Sequence, residues 1–202
     1  MIISFSGIDG SGKSSTISLL KKDFHKCKVI FLNRYFFLNF FLSCLKVFFQ
    51  TNKKINKKKS IFIIKKNTFF LLKFWPLFVV FDNFFLYAYA KFYSIRGFVV
   101  FCDRYFVDKI VSYNLHGYSN KICNKIYMSL YIKSDLHFFL KTNIKIAKSR
   151  EIGNSHSEKF FLEISNLYER FHNQINQNYY VISTNNNQTK VNKKILKIIK
   201  KK

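Results

Sequence analysis

The amino-acid sequence predicts an α/β domain in which a parallel β-sheet carries helices on both faces. Short runs of β-forming residues alternate with segments of helical length, which is typical of strand–helix–strand units. A glycine-rich loop directly follows the first of these runs and precedes a helical pattern. The length of 202 residues and the apolar fraction of 49% fit one globular domain, residues 1–202, with its own core.

Five segments carry the strand pattern. They are residues 2–5, 29–32, 98–102, 136–140 and 179–182. Each is a short, largely apolar run, as expected for strands whose two faces are both covered by helices. These five runs predict the strands of the sheet.

Helical patterns occupy the intervals between the strands. Residues 13–26 begin at the glycine-rich loop and carry apolar side chains at helical spacing. Residues 69–93 predict one or two long apolar helices with a break near Pro76, because proline removes a backbone donor. Residues 157–177 and 189–202 are amphipathic and predict two helices that pack against the sheet.

The chain is strongly basic, with 35 Lys and Arg against 10 Asp and Glu and a net charge of +25. Its aromatic fraction of 19% is too high for a disordered, charge-expanded chain. Only five of the basic residues are arginine, the side chain that forked phosphate and base contacts favour. We therefore predict no specific nucleic-acid binding, and a solvated loop or insertion at the lysine-rich residues 51–67.

The sequence predicts a cytoplasmic protein without a transmembrane span. Its first ten residues, M-I-I-S-F-S-G-I-D-G, contain neither a positive segment nor a cleavage site for secretion. Residues 31–49 and 69–90 are apolar but contain charged side chains, each of which costs about 2.5 to 3.5 kcal/mol in a membrane-spanning helix. Weak contact with a membrane surface is left open.

The glycine-rich loop has the sequence G-I-D-G-S-G-K-S over residues 7–14, the phosphate-binding pattern G-x-x-x-x-G-K-[ST]. Glycines let backbone N–H groups turn towards phosphates, and the helix that follows adds the positive end of its dipole. We expect Lys13 to reach the β- and γ-phosphates and the Ser14 hydroxyl to bind Mg²⁺. This predicts a nucleoside triphosphate site, which GTPases, ATPases, motor proteins and small-molecule kinases all share.

A carboxylate and a guanidinium follow the third predicted strand, as Asp103 and Arg104. Ligands of open α/β sheets collect at this carboxyl edge, where Asp103 would hold Mg²⁺ or its water shell. Arg104 would neutralise charge in the transition state of phosphoryl transfer. A structural salt link between the two side chains is the alternative. Asp108 is placed near the acceptor pocket if a helix begins after Arg104.

These segments resemble the thymidylate kinase family of P-loop nucleoside monophosphate kinases. The resemblance rests on F-S-G-I-D-G-S-G-K-S-S (5–15) and C-D-R-Y (102–105), with similar segments S-D-L-H-F-F-L (134–140) and A-K-S-R (147–150) in the same order. It implies a P-loop NTPase three-layer sandwich with a five-stranded parallel sheet of order 2-3-1-4-5. It also implies transfer of the γ-phosphoryl of ATP to a nucleoside monophosphate, first of all dTMP. A homodimer is left open.

The resemblance assigns roles to residues of this sequence. The loop residues would bind ATP: Gly7, Asp9, Gly10, Ser11, Gly12, Lys13, Ser14 and Ser15. Ser14 and Asp103 would hold Mg²⁺, and the catalytic side chains would be Lys13, Asp103, Arg104 and Arg150. Arg150 would belong to a lid over ATP at residues 148–160. The acceptor would be bound by Asp9, Arg34, Arg104 and Asp108.

The sequence also departs from the family pattern. Ser6 replaces the acidic residue that precedes the first loop glycine, and F-V-D-K-I-V-S-Y at residues 106–113 lacks the family's thymine-binding segment. Two alternatives therefore stand beside a thymidylate kinase. One is a P-loop kinase for a different acceptor, and the other is a nucleotide-binding module that has lost transfer chemistry.

Overall fold

The computed structural model describes residues 1–31, 69–115, 121–151, 156–175, 179–185 and 187–202. The strands in this part of the chain form one sheet of order β2-β3-β1-β4-β5, and every neighbouring pair is parallel. Their bounds are β1 Ile2–Ser6, β2 Cys27–Phe31, β3 Val99–Asp103, β4 Leu136–Lys141 and β5 Tyr179–Ser183. The predicted fold class and strand order are confirmed.

The parallel register brings the carboxyl ends of four strands, β1 to β4, to one edge of the sheet. Phe5 near the end of β1 lies opposite Asp103, and so does Phe31 at the end of β2. Ser6, the last residue of β1, lies opposite Phe139 of β4. The glycine-rich loop and Asp103 therefore share the edge at which ligands bind in sheets of this kind.

The helices match most of the predicted segments. They are α1 Lys13–Leu20, α2 Phe69–Ile95, α3 Phe106–Leu115, α4 Lys121–Ser129, α5 Ile144–Arg150, α6 Glu158–His172 and α7 Gln188–Ile199. A 3₁₀ turn, Lys21–Asp23, follows α1. The predicted break near Pro76 is wrong: α2 is one helix of 27 residues, in which the proline removes a single backbone donor.

No helix in the described ranges is both long enough and apolar enough for a bilayer crossing. The long α2 instead contributes to the core, where Ala90 is completely buried. Buried polar side chains, Asp82 and Asn83, also interrupt its apolar sequence. The described part of residues 69–90 therefore packs one side on the core, while large apolar side chains such as Phe84 and Tyr89 are exposed.

Apolar clusters cover both faces of the sheet, because successive strand residues point to opposite sides. On one face, Val100 and Phe139 pack with residues of α2, α3 and α6. On the other, Phe5 and Phe138 stack with ring centroids 5.5 Å apart, in a cluster that also contains residues of α1 and α7. This arrangement is the predicted three-layer sandwich.

A buried serine–histidine network lies directly beneath the glycine-rich loop. Nε2 of His137 and Nε2 of His172 lie 2.9 Å and 3.0 Å from the hydroxyl of Ser6. Nδ1 of His137 lies 2.6 Å from the hydroxyl of Ser4. Burial lowers the pKa of His137 to about 3, and burial together with the proximity of His137 lowers the pKa of His172 to about 2. Both rings are therefore neutral in the folded protein.

Stability should fall as the pH is lowered from about 6.5 towards 3. In this window an unfolded histidine, with a pKa of about 6.5, takes up a proton that folded His137 and His172 do not. Each ring then removes up to about 1.4 kcal/mol per pH unit from the free energy of unfolding. Urea unfolding at pH 7, 6 and 5 measures the slope. The dependence of unfolding free energy on pH should be less steep in His172→Phe than in the wild type, and unchanged in His25→Phe, an exposed control. Equal slopes for the wild type and His172→Phe would contradict this account.

Candidate active site

The glycine-rich loop connects β1 to α1 in a conformation that favours glycine. Gly10 and Gly12 have φ of 76° and 84°, in the left-handed region. A Cβ at Gly10 would overlap the backbone carbonyl of Ala147, and one at Gly7 would lie 2.6 Å from the carbonyl oxygen of Leu140. The loop therefore needs glycine both for its turns and for its close approach to β4 and α5.

Gly10→Ala should destabilise the protein. Gly97→Ala is a matched control, because Gly97 has a similar φ of 81° but no atom within 4 Å of an added Cβ. The control should lose about 1 to 2 kcal/mol of unfolding free energy through backbone strain alone. Gly10→Ala should lose about 1 to 3 kcal/mol more, because it also overlaps Ala147. Chemical unfolding of the two variants tests this, and equal losses would show that the close packing has no effect.

Lys13 lies inside the loop, with its side chain only 6% exposed. Its Nζ donates hydrogen bonds to the carbonyl oxygens of Gly7 and Ile8, at 2.7 Å and 2.8 Å, and lies 3.8 Å from Oδ1 of Asp9. Burial, aided by the charge of Arg104, lowers the pKa of Lys13 to about 8. The loop thus holds a cation at the position where an anionic phosphate would need one.

Ser14 and Asp103 form an oxygen pair beside the loop. The Ser14 hydroxyl, in the first turn of α1, donates to Oδ2 of Asp103 at 2.7 Å. Hydroxyl and carboxylate oxygens suit Mg²⁺, which usually keeps waters and substrate phosphates as its other ligands. In the described ranges no three His, Cys, Asp or Glu side chains could hold a metal ion together. The pair thus offers a hydroxyl and a carboxylate oxygen, which are ligand types that Mg²⁺ accepts.

Arg104 follows Asp103 with an unusual backbone conformation, φ 70°. Its guanidinium pairs with Asp9, and Nη1 lies 4.0 Å from Oδ1 of Asp108. Burial opposes its charge, but Asp108 and the other anionic neighbours outweigh this and raise the pKa of Arg104 above its ordinary value. The Arg104 guanidinium, a charged donor with several N–H groups in one plane, is thereby held against Asp9 of the glycine-rich loop.

A cavity of about 630 Å³ joins these groups. Its lining residues are Asp9, Gly10, Gly12, Lys13, Ser14, Ser15, Phe31, Asp103, Arg104, Arg150, Asn187 and Gln188. The structure thus brings together most of the predicted ATP and metal residues and all four predicted catalytic side chains. Gly7 shapes the loop and Ser11 is a buried residue within it, while Asp108 lies behind Arg104. Arg34, residues 51–67 and residues 152–155 of the predicted lid lie outside the described residues.

Sequence reasoning missed Phe31, Asn187 and Gln188. The side-chain amide of Gln188 donates to the hydroxyl of Thr16 at 2.7 Å, which fixes it against α1. Asn187 caps α7 by accepting from the backbone N–H of Thr189 at 3.0 Å. All three residues lie at or after the carboxyl ends of predicted strands, which is the positional signal that could have identified them.

The same fold occurs in solved structures of kinases. A thymidylate kinase from Candida albicans is 16% identical with a TM-score of 0.67, over 99% of this chain and 91% of that one. A thymidylate kinase from Ehrlichia chaffeensis is 15% identical with a TM-score of 0.61, over 98% of both chains. A deoxyadenosine kinase from M. mycoides with bound dATP is 16% identical with a TM-score of 0.59, over 99% and 100%.

The chain has the fold of these kinases. No protein-family model and no curated protein sequence matches it. At 15–16% identity the likeness extends to the fold, and the fold includes the whole described sheet with its order β2-β3-β1-β4-β5. The chemistry of the site must therefore be argued from this chain's own residues.

Proposed function

We propose that the protein is a cytoplasmic P-loop kinase that transfers the γ-phosphoryl group of ATP to a nucleoside monophosphate, with dTMP as the first candidate. The observation that carries the proposal is the grouping of Lys13, the Ser14–Asp103 pair and Arg104 around one cavity. Phosphoryl transfer needs little besides positioning and charge neutralisation, and these groups supply both.

Each group has its own part in the proposed reaction. Backbone N–H groups of the loop and the ammonium of Lys13 bind the β- and γ-phosphates. Ser14 and Asp103 hold Mg²⁺, which when bound neutralises phosphate charge. An oxygen of the acceptor phosphate attacks the γ-phosphorus, the bond to the β–γ bridging oxygen breaks, and ADP leaves. Arg104 and Arg150, which both line the cavity, offset the negative charge on the transferring group.

The amides of Asn187 and Gln188 provide a second part of the proposed ATP site. They line the cavity beyond Gly12, and the Gln188 amide also donates to the Gly12 carbonyl oxygen at 3.4 Å. Side-chain amides offer donors and acceptors that can hydrogen-bond a nucleobase. Arg150, which donates to the carbonyl oxygen of Thr184 at 3.3 Å, joins α5 to the same rim.

A deoxynucleoside is the second candidate acceptor. The M. mycoides neighbour is a deoxyadenosine kinase, and the thymidylate kinase from Candida albicans has a broad substrate specificity. The altered segment at residues 106–113 of this chain also favours an acceptor other than dTMP. A hydroxyl would then attack the γ-phosphorus in place of a phosphate oxygen and pass its proton to Asp9, the cavity-lining carboxylate that is not assigned to Mg²⁺, with the same groups around ATP.

ADP release from Mg-ATP with a panel of acceptors tests the proposal. The panel holds dTMP, dUMP, CMP, AMP, GMP and deoxyadenosine, with no acceptor and excess EDTA as controls. Turnover that depends on one monophosphate supports the proposed reaction. Turnover with deoxyadenosine alone would identify a nucleoside, not a nucleoside monophosphate, as the acceptor. ATP binding without turnover on any acceptor would favour the non-catalytic alternative.

ATP affinity should decrease as the pH rises above about 8. Phosphates pair with the charged form of Lys13, whose pKa is lowered to about 8. Each further pH unit therefore lowers the fraction of protein with a charged Lys13 by up to tenfold, and the ATP affinity falls with it. Titration of ATP by calorimetry at pH 7, 8 and 9 measures this. Lys13→Arg should bind more weakly but with a flatter profile, because its guanidinium stays charged; two parallel profiles would contradict the assignment.

A further inference from the structure

A buried carboxylate, Asp108, has no role in the chemistry described above. It is the third residue of α3 and is 5% exposed. Its Oδ2 accepts a hydrogen bond of 2.7 Å from the backbone N–H of Tyr105, which precedes the helix. This is the acidic half of a capping box, in which the third helical residue binds the N-cap amide. One oxygen of Asp108 is therefore fixed by its own helix.

Tyr168 fixes the other oxygen from a different helix, α6. Its hydroxyl donates to Oδ1 of Asp108 at 2.6 Å. The ring is 2% exposed and packs against Phe139 and His172, with centroid distances of 5.6 Å and 6.0 Å. A short O–H···O⁻ bond between buried groups is stronger than a neutral one. The carboxylate thus has a single orientation, set by α3 and α6 together.

The same oxygen of Asp108 faces Arg104. Nη1 of the guanidinium is 4.0 Å from Oδ1, and the other end of the guanidinium pairs with Asp9. The left-handed backbone of Arg104 costs about 1 kcal/mol and persists only where its surroundings hold it. Two carboxylates therefore determine where the guanidinium lies, and the buried one depends on Tyr168.

The charge of Asp108 depends on the groups around it. Burial raises its pKa, and the neighbouring cations and hydrogen-bond donors oppose that rise. The groups that face it are Arg104, Lys13, Lys109, the Tyr168 hydroxyl and the backbone N–H of Tyr105. Loss of the Tyr168 hydroxyl removes one stabilising donor. The pKa of Asp108 would then rise further. As the pH is lowered, Asp108 would be protonated, and its pairing with Arg104 lost, at a higher pH than in the wild type.

We propose that Tyr168 is a positioning residue for phosphoryl transfer: its hydroxyl holds Asp108 so that Asp108 and Asp9 together keep the Arg104 guanidinium at the cavity. The proposal rests on the proposed kinase function. It makes α6, whose first residues overlap the end of the predicted lid at residues 148–160, a structural support for a side chain at the reacting phosphate. No sequence motif marks Tyr168 for this role.

Tyr168→Phe tests the proposal, with Tyr179→Phe as the matched control. Tyr179 undergoes the same change, but its ring stacks on His172 at 4.7 Å and its hydroxyl does not bind Asp108. In Tyr168→Phe, kcat at pH 7 should fall about 10- to 100-fold, the range for a hydrogen bond to a charged group. KM for ATP should stay within about twofold, since Lys13 and the loop are unchanged. The acidic limb of the kcat profile should move to higher pH.

Asp108→Asn keeps an acceptor for the Tyr105 N–H but removes the charge. Its kcat should be low across the whole pH range, without the acidic limb that Tyr168→Phe displaces. This second variant keeps the proposal testable if Tyr168→Phe folds poorly. The proposal is overturned if Tyr168→Phe keeps the wild-type kcat and pH profile, if both tyrosine variants lose activity equally, or if Asp108→Asn turns over like the wild type.

A readout without turnover separates this proposal from the kinase function itself. The Nε–H resonance of Arg104 in a ¹⁵N spectrum, assigned with Arg104→Lys, reports the guanidinium environment. If the wild type phosphorylates no acceptor, the proposed function fails, but this resonance still shows whether Tyr168 positions the Arg104 guanidinium. A shift in Tyr168→Phe that Tyr179→Phe does not show supports the positioning role, and an unchanged resonance overturns it.

Discussion

Replacing Lys13 with alanine is expected to abolish ATP-dependent transfer, with kcat/KM lower by at least about 1,000-fold. The ammonium is buried inside the loop and within hydrogen-bond distance of two loop carbonyls, so a lysine on the protein surface cannot take its place there. Without this ammonium, the negative charge of the phosphates is no longer neutralised in either the ground state or the transition state. ATP affinity and kcat should therefore fall together.

Steady-state kinetics and direct ATP binding measure this effect. Lys22→Ala is the control, because Lys22 carries the same charge on the exposed 3₁₀ turn that follows α1. It should turn over like the wild type, which would exclude a general effect of net charge. Full turnover by Lys13→Ala would remove the phosphate-loop mechanism altogether.

Replacing Arg104 with lysine should lower kcat about 100- to 1,000-fold while KM for ATP changes little. Lysine keeps the charge but loses the planar fork that spans Asp9 and Asp108. A charge held loosely beside the cavity stabilises the transferring phosphoryl group less than one held in place. The loss should therefore appear in kcat and not in ATP binding.

Arg96→Lys is the matched control for this substitution. Arg96 lies just beyond the end of α2, with its guanidinium over the ring of Phe92 at 4.1 Å. Its replacement should leave both kinetic constants unchanged. A KM effect in Arg104→Lys with kcat unchanged would instead assign Arg104 to ground-state binding of a substrate, and our assignment of Arg104 to the transition state would be wrong.

The centre of the sheet was predictable from the sequence because β1, β3 and β4 are buried along almost their whole length. Runs such as residues 98–102 and 136–140 are largely apolar without strict alternation, and the observed β3 and β4 begin and end within one residue of them. The glycine-rich loop was predictable because its backbone turns and its close contact with Ala147 demand glycine at fixed positions. The strand order came from the resemblance to a kinase family.

Other parts of the site depend on contacts between residues distant in sequence. Tyr168 meets Asp108 across 60 positions, and Gln188 meets Thr16 across 172. Neither Tyr168 nor Gln188 lies in a recognisable sequence motif. Only the packing of α6 on α3 and of α7 on α1 brings them to the site. The continuous α2 was also missed, because Pro76 marks a lost backbone donor but not whether the surrounding helix tolerates it.

Transfer of label from [γ-³²P]ATP to an acceptor is the most direct test of the proposed kinase function. The wild-type protein with Mg²⁺ and dTMP, or another member of the acceptor panel, should place the label in a nucleoside diphosphate, and Lys13→Ala should not. Label that appears only as inorganic phosphate, or no release of label with any acceptor, would contradict the central claim that this cavity carries out phosphoryl transfer between nucleotides.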